Sequence, residues 1–160
     1  MATPNFDIFA FLAEPRRAAS VATTGRRGGP VLGMMWFHLE DQRLWFTSLD
    51  DGRYPFVAAA RAGGDVAVLV TTPERPDDVR QVRLTGPARI EEPDTDRVRR
   101  IYARYVTEWT PQWEETVTSP SLRLWSMSPE RGMALTYPHT APPYRWRDAA
   151  ELFGLTGEEV

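Results

Sequence analysis

The string Phe46-Thr47-Ser48-Leu49-Asp50-Asp51-Gly52-Arg53 gathers the parts that suit a phosphate monoester. A strand ends there in two hydroxyls, a glycine permits close backbone approach, and an arginine stands just before a helix start at Pro55. Hydroxyls and backbone N–H groups donate to phosphate oxygens, a helix N-terminus adds its positive end, and a guanidinium grips two oxygens at once. By residue types alone the same string also serves as an ordinary polar turn, so both readings stand at this point.

Other chemistries find less in the chain. His38 and His139 are the only histidines, and neither lies in a ligand-spaced pair, so metal-assisted hydrolysis has no obvious ligand set. No Gly-x-Ser-x-Gly elbow is present for a serine nucleophile. No glycine-rich loop of the P-loop or dinucleotide-binding kind occurs either; Gly25, Gly28 and Gly29 flank Arg26 and Arg27 in what reads as a solvated hairpin tip. Cysteine is absent, which excludes disulfides, thiolate metal sites and cysteine nucleophiles. All 19 basic residues are arginine, which excludes Schiff-base catalysis by lysine.

The elements that must position these residues follow from periodicity. Phe6, Phe9 and Leu12 fall near one helical face, with Asn5 as a cap and Pro15 as a stop. Ala18–Thr24 reads as a strand, Gly25–Pro30 as a turn, Val31–Leu39 as a strand apolar at both parities, and Leu44–Leu49 as its hairpin return after the Glu40-Asp41 turn. Pro55 opens a short helix through Phe56–Ala62 that the Gly63-Gly64 pair ends. Val66–Val70 reads as a strand buried on both faces. In Val79–Ile90, Val82, Leu84, Ala88 and Ile90 share one parity and Gln81, Arg83, Thr85 and Arg89 the other, giving one packed and one polar face. Pro93, Asp94 and Thr95 open a helix whose stripe is Val98, Ile101, Tyr102, Tyr105 and Val106. Beyond Trp109 the pattern weakens, with two further strands at Leu122–Met127 and Met133–Tyr137 around a Pro129–Gly132 turn. About seven hairpin-linked strands with two or three short helices favour a mainly β (α+β) antiparallel barrel over a doubly wound sheet.

A chain of 160 residues, 42% hydrophobic and 26% charged, is expected to form one domain over residues 1–160. Its net charge of −3 argues against a general nucleic-acid partner, because counterion release needs a basic surface. No apolar stretch approaches the roughly 18 residues of a membrane span, and no leader pattern opens the chain, so a cytoplasmic location without membrane partners is expected.

The order of strand, Phe-Thr-Ser, turn, basic residue, short helix and valine-rich strand, followed by Arg80-Gln81-Val82-Arg83-Leu84-Thr85-Gly86, resembles the flavin mononucleotide (FMN)-binding split β-barrels related to pyridoxamine 5'-phosphate oxidase. The resemblance runs from Ala18 to Ile90, about half the chain. It implies an antiparallel split β-barrel with short flanking helices. It also implies that Thr47, Ser48 and Arg53 hold a cofactor phosphate, that Gln81 contacts the flavin, and that Met34, Met35, Trp36 and Phe37 lie along the isoalloxazine ring; Arg83, two residues beyond Gln81, is a further cofactor-binding candidate. Members of the family are dimers with the cofactor between subunits, so a homodimer is expected, with residues near Trp109–Trp125 or Tyr144–Trp146 closing the partner's site.

Several departures from the family pattern carry meaning. Arg53 replaces a usual lysine, Gly52 stands where a second basic residue is common, and two extra residues lie between Arg53 and Val66. Val106 occupies the place of a substrate-binding arginine, and Tyr144-Arg145-Trp146-Arg147 lacks the oxidases' C-terminal pattern. Oxidation of pyridoxamine 5'-phosphate itself is therefore not expected. The expected activity is hydride transfer to or from a small organic substrate using FMN, with no acid–base pair required of the protein. A second reading uses an 8-hydroxy-5-deazaflavin, whose acidic tail needs a cationic lane for which Arg26, Arg27, Arg53, Arg80 and Arg83 are candidates. A third is a carrier or sensor of flavin, haem or another tetrapyrrole, with His38 or His139 as the axial ligand in the haem case.

Overall fold

The computed structural model describes residues 3–50, 52–72, 77–137 and 141–156; His139 and Asp51 lie outside them. Strands β1 (Ala19–Thr24) and β2 (Pro30–Met35) form a hairpin, followed by β3 (His38–Glu40) and β4 (Arg43–Leu49). Helix α2 (Pro55–Ala62), the second after α1 (Ile8–Ala13), leads to β5 (Asp65–Thr71) and the long β6 (Val79–Ile90). Helices α3 (Thr95–Ala103) and α4 (Pro111–Val117) precede β7 (Leu122–Met127), β8 (Arg131–Tyr137) and β9 (Tyr144–Trp146), and α5 (Ala149–Phe153) with a 3-10 turn ends the described chain.

Every strand pairing is antiparallel. The order is β2-β1-β5-β6-β7-β4-β3, with β8 on β6 and β9 on β8. The split arises within β6. Its first part, Val79–Thr85, pairs β8, while Ala88–Ile90 pairs β7. The switch occurs at Gly86-Pro87, where a Cβ on Gly86 would stand 1.8 Å from the Ser128 carbonyl oxygen. This is the expected antiparallel split barrel with short flanking helices.

The principal core lies between the sheet's inner face and helices α1, α2 and α5. It includes Phe11, Val21, Phe37, Phe46, Val68, Leu84, Trp125 and Trp146, none more than 2% exposed. A second cluster, Trp45, Val98, Ile101, Tyr102, Val117 and Leu124, binds α3 and α4 to the outside of β4 and β7.

Local chemistry explains the helix boundaries. Pro55 occupies the first turn of α2, and Gly63 ends it in the left-handed region at φ 66°. Helix α3 begins at Asp94, whose carboxylate accepts from the Arg97 N–H at 3.0 Å. At α1 the cap is Asp7, which accepts from Ala10 N–H, not the expected Asn5; Asn5 instead donates to Thr136 Oγ1 at 2.7 Å.

Four other expectations are corrected. The run Val31–Leu39 is two strands, interrupted at Trp36 and Phe37. Strand β5 is packed on one face only: Val66, Val68 and Val70 are buried while Ala67 is exposed and Leu69 half-buried. Helix α3 stops at Ala103, and the Tyr105 and Val106 N–H groups both return to the Tyr102 carbonyl at 2.9 Å. The weak region after Trp109 contains α4, β9 and α5, for nine strands in all among the described residues.

Candidate functional site

Directly opposed strand residues point to the same side of a sheet, and successive residues along a strand point to opposite sides. The end of β2, the end of β4 and the start of α2 thereby enclose a cleft of about 440 Å³. Met34, Met35 and Trp36 form one wall, Thr47, Ser48 and Leu49 the floor, and Tyr54, Phe56, Tyr102 and Leu122 the remainder. Gly33 leaves room for the Phe56 ring, which lies 3.3 Å from where a Cβ would stand.

Ser48 is set by the core. It is 9% exposed, and the indole Nε1–H of the wholly buried Trp125 donates to its Oγ at 3.0 Å. With that lone pair engaged, the hydroxyl proton is free to be donated into the cleft. Trp125 is itself fixed by stacking on Phe46, 4.5 Å between ring centroids. Thr47 Oγ1 meets the Tyr102 hydroxyl only at 3.5 Å, which leaves it lightly held.

The wall at Trp36 is equally fixed. Its ring stacks parallel on Tyr105 at 4.8 Å and meets Tyr102 edge-on at 5.3 Å. The Tyr105 hydroxyl accepts from Phe37 N–H at 3.1 Å and donates to the Arg17 carbonyl at 2.7 Å. Burial raises the Tyr105 pKa, opposed by its backbone bond to Phe37 and by Arg104. Arg104 donates to the carbonyls of Phe37, Leu12 and Glu14, and burial lowers its pKa. This network clamps the chain where β2 gives way to β3.

Among the described residues charge is absent from the cleft lining and gathers at its end. The Arg26 guanidinium donates to the Gly52 carbonyl, which lays the β1–β2 hairpin tip on the β4–α2 loop beside Arg53. Gly52 has φ 78°, a conformation a side chain would strain, which accounts for glycine where a basic residue was expected. Arg53 is exposed and next to Tyr54 in the chain. Asp50 is paired with Arg61 at 2.5 Å and Arg123 at 3.2 Å, and the Arg61 hydrogen bond leads the causes that lower its pKa.

Of the expected site residues, Met34, Met35, Trp36, Thr47 and Ser48 are thus brought together. Phe37 is 0% exposed and packs against Phe46 in the core. Gln81 and Arg83 lie on β6, outside the cleft lining. The five arginines considered for a cationic lane do not form one: Arg80 is tied to Asp78 and Glu14 and lies over the Phe11 ring, while Arg83 sits on the outer sheet face. His38, on β3, does not line the cleft; burial, then Arg104, lowers its pKa. No group of three or more potential metal ligands occurs among the described residues. No helix among them is long and apolar enough to cross a membrane.

Tyr54, Phe56, Tyr102 and Leu122 were not foreseen. Phe56 and Tyr102 read as core positions of amphipathic helices, and only the pairing of β4 with β7 brings Leu122 opposite Leu49.

A family model described as pyridoxamine 5'-phosphate oxidase matches residues 7–135. The solved structures that share the fold include the following three. The conserved hypothetical protein Rv2991 from Mycobacterium tuberculosis superposes with a TM-score of 0.63 at 21% identity, covering 96% of this chain and 91% of that one. General Stress Protein 26 from Bacillus anthracis str. Sterne gives 0.59 at 18% identity, with coverage of 86% and 95%. An F-420 reductase gives 0.57 at 20% identity, with coverage of 78% and 94%. No curated protein sequence matches.

Proposed function

Because the chain belongs to the pyridoxamine 5'-phosphate oxidase family, we propose that it is an oxidoreductase that binds FMN in the β2–β4–α2 cleft and acts on a small organic substrate other than pyridoxamine 5'-phosphate. The observation that carries this reading is the cleft's polarity: an aromatic and thioether wall runs into a floor with two hydroxyls, one of them oriented by Trp125. A volume of about 440 Å³ falls within the range of small-molecule sites, and the apolar lining with few polar groups suits a flat ring carrying a phosphate. Thr47, Ser48 and Arg53 would hold the phosphate, and Met34, Met35 and Trp36 the ring.

When bound, the flavin supplies the hydride chemistry. The chain's residues bind, orient and exclude water. The Ser48 and Thr47 hydroxyls donate to anionic oxygens, and Arg53 adds a screened positive charge from the loop. Trp36, immobilised by Tyr105 and Tyr102, sets one face of the slot without reorganising when a ligand enters. Among the described residues no carboxylate or imidazole lines the cleft, so the groups of theirs that could exchange a proton there are the hydroxyls of Tyr54 and Tyr102, beside the ligand and water.

The second reading, a deazaflavin in the same cleft, is favoured by the shared fold with an F-420 reductase. Haem has less to support it, since no histidine among the described residues lines the cleft.

The proposal extends to a homodimer. Leu32 and Met34 are 73% and 74% exposed on the outer face of β2. They continue across the sheet in two rows, Leu32–Ala22–Ala67 and Met34–Ser20–Leu69. This apolar strip borders the cleft at Met34, as a cofactor held between subunits would require.

Titration with FMN and, separately, the deazaflavin, followed by tryptophan quenching, tests the cofactor. Micromolar binding of one, about −8 kcal/mol, is expected, and failure of both ligands to bind would overturn the reading.

A further inference from the structure

The rows that carry the apolar strip do not end at β5. The Met34–Ser20–Leu69 row continues through Arg83, Met133 and Arg145, each directly opposite the last. The Leu32–Ala22–Ala67 row continues to Thr85 and Arg131, and one step beyond the end of β9 Arg147 comes level with Arg131. Four guanidinium groups therefore leave one sheet face within an area of about 10 by 7 Å, two strand spacings by two residues. They line a groove of about 350 Å³ together with Thr85 and Met133.

Such a cluster is not a product of composition, because the chain is acidic overall with a net charge of −3. Elsewhere most arginines are neutralised: Arg43, Arg80, Arg97 and Arg99, among others, reach a carboxylate within 4 Å. Arg83, Arg145 and Arg147 reach none among the described residues. Arg83 has a long contact to Gln81 Oε1 at 3.4 Å. Arg131 pairs with Asp65 at 2.9 Å, but both side chains are 55% exposed, and such a pair is readily displaced. Like charges level with one another on neighbouring strands oppose folding unless something of opposite sign lies between them.

The groove is also rigid. Beneath it Trp146 is 2% exposed, donates its Nε1–H to the Pro129 carbonyl at 3.0 Å, and packs on Gly132, where a Cβ would stand 1.9 Å from the indole. Strand β9 is thus pinned to β8, and Arg145 and Arg147 keep their places relative to Arg83 and Arg131.

We propose that this β6–β8–β9 face is a binding site for a small polyanion, a ligand with two or more phosphate or carboxylate groups a few ångströms apart. Planar guanidiniums from three strands grip such groups bidentately, and their summed field concentrates anions at the groove. The site lies outside the β2–β4–α2 cleft and does not depend on what that cleft binds.

Calorimetric titration with pyrophosphate and with citrate, each against sodium chloride at matched ionic strength, tests it. Saturable binding of at least one is expected; preference for pyrophosphate assigns a phosphate ligand, preference for citrate a carboxylate one. Replacing Arg83, Arg145 and Arg147 together by Gln should weaken binding at least about tenfold, while Arg100→Gln, the same charge change on α3, should leave it as in wild type. Asp65→Asn, which releases Arg131, should tighten it, and this gain does not depend on the triple variant folding. Absence of saturable binding of both probes in the millimolar range, or an unchanged affinity in a triple variant whose circular dichroism matches wild type, overturns the proposal.

Discussion

Ser48 joins the core to the cleft through one oxygen, so its replacement separates two effects. Ser48→Ala leaves the Trp125 N–H buried without an acceptor, and should lower stability by about 1–3 kcal/mol in urea denaturation. Thr47→Val, which breaks only a 3.5 Å contact, should cost less than about 1 kcal/mol. Both should weaken FMN binding. Arg53→Ala should weaken binding more than it weakens folding; equal affinity in that variant would refute its place in the phosphate site. His38 gives a pH signature. Burial, reinforced by Arg104, holds its pKa below the ordinary 6.5 in the fold, so the unfolded chain takes up the proton first. Its contribution is fully present above about pH 6.5 and is lost as the pH falls below that value, before carboxylates such as Asp50 and Asp94 respond. His38→Gln should flatten the fall in melting temperature between about pH 7.5 and 5.5; an unchanged slope would remove the imidazole as its cause. Thr47 and Ser48 were legible because residue type and strand-end position sit within one short string, whereas Met34–Trp36 entered only through the family resemblance. Tyr102 and Leu122 were not, since they reach the cleft by pairing and packing over long separations.

Helix α2, bracketed by proline and glycine, was read where it lies, as were β7 and, from its alternation, β6, whereas the break between β2 and β3 and the short elements after Trp109 were not. Pro55 and Gly63 bracket α2 where expected, because a missing N–H and a left-handed φ act locally. The break between β2 and β3 has no proline or glycine to announce it; it is held by Tyr105 and Arg104 from beyond α3. Strand β5 misled because β-branched residues at one parity and small or apolar residues at the other look buried throughout, whereas Ala67 and Leu69 belong to the outer face. Strand β9, three residues long, carries no periodicity to detect. Its attachment yields a prediction: Gly132→Ala drives a methyl into the Trp146 indole and the Arg83 carbonyl, which stands 2.4 Å away. A loss of about 2–4 kcal/mol is expected, with Trp146 becoming accessible to acrylamide quenching. Near-wild-type stability would mean that β9 is free to shift.

Across the whole molecule, the outer sheet face divides into an apolar half on β2, β1 and β5 and an arginine half on β6, β8 and β9. The homodimer proposed for the apolar half predicts that replacing Leu32 and Met34 together by Glu yields a monomer in sedimentation velocity with little loss of monomer stability, because both side chains already face solvent. A wild-type chain that sediments as a monomer would remove this proposal. Strand β6, meanwhile, hydrogen-bonds to β5, β8 and β7, and both halves of the barrel close on it. Neither half retains its edge if β6 leaves, so amide protons from Val82 to Ala88 should be the slowest in the chain to exchange with deuterium, at rates set by global unfolding. A protease cut within β6 should then release the entire barrel at once, whereas a nick at the Gly25–Gly29 hairpin tip should leave two fragments associated.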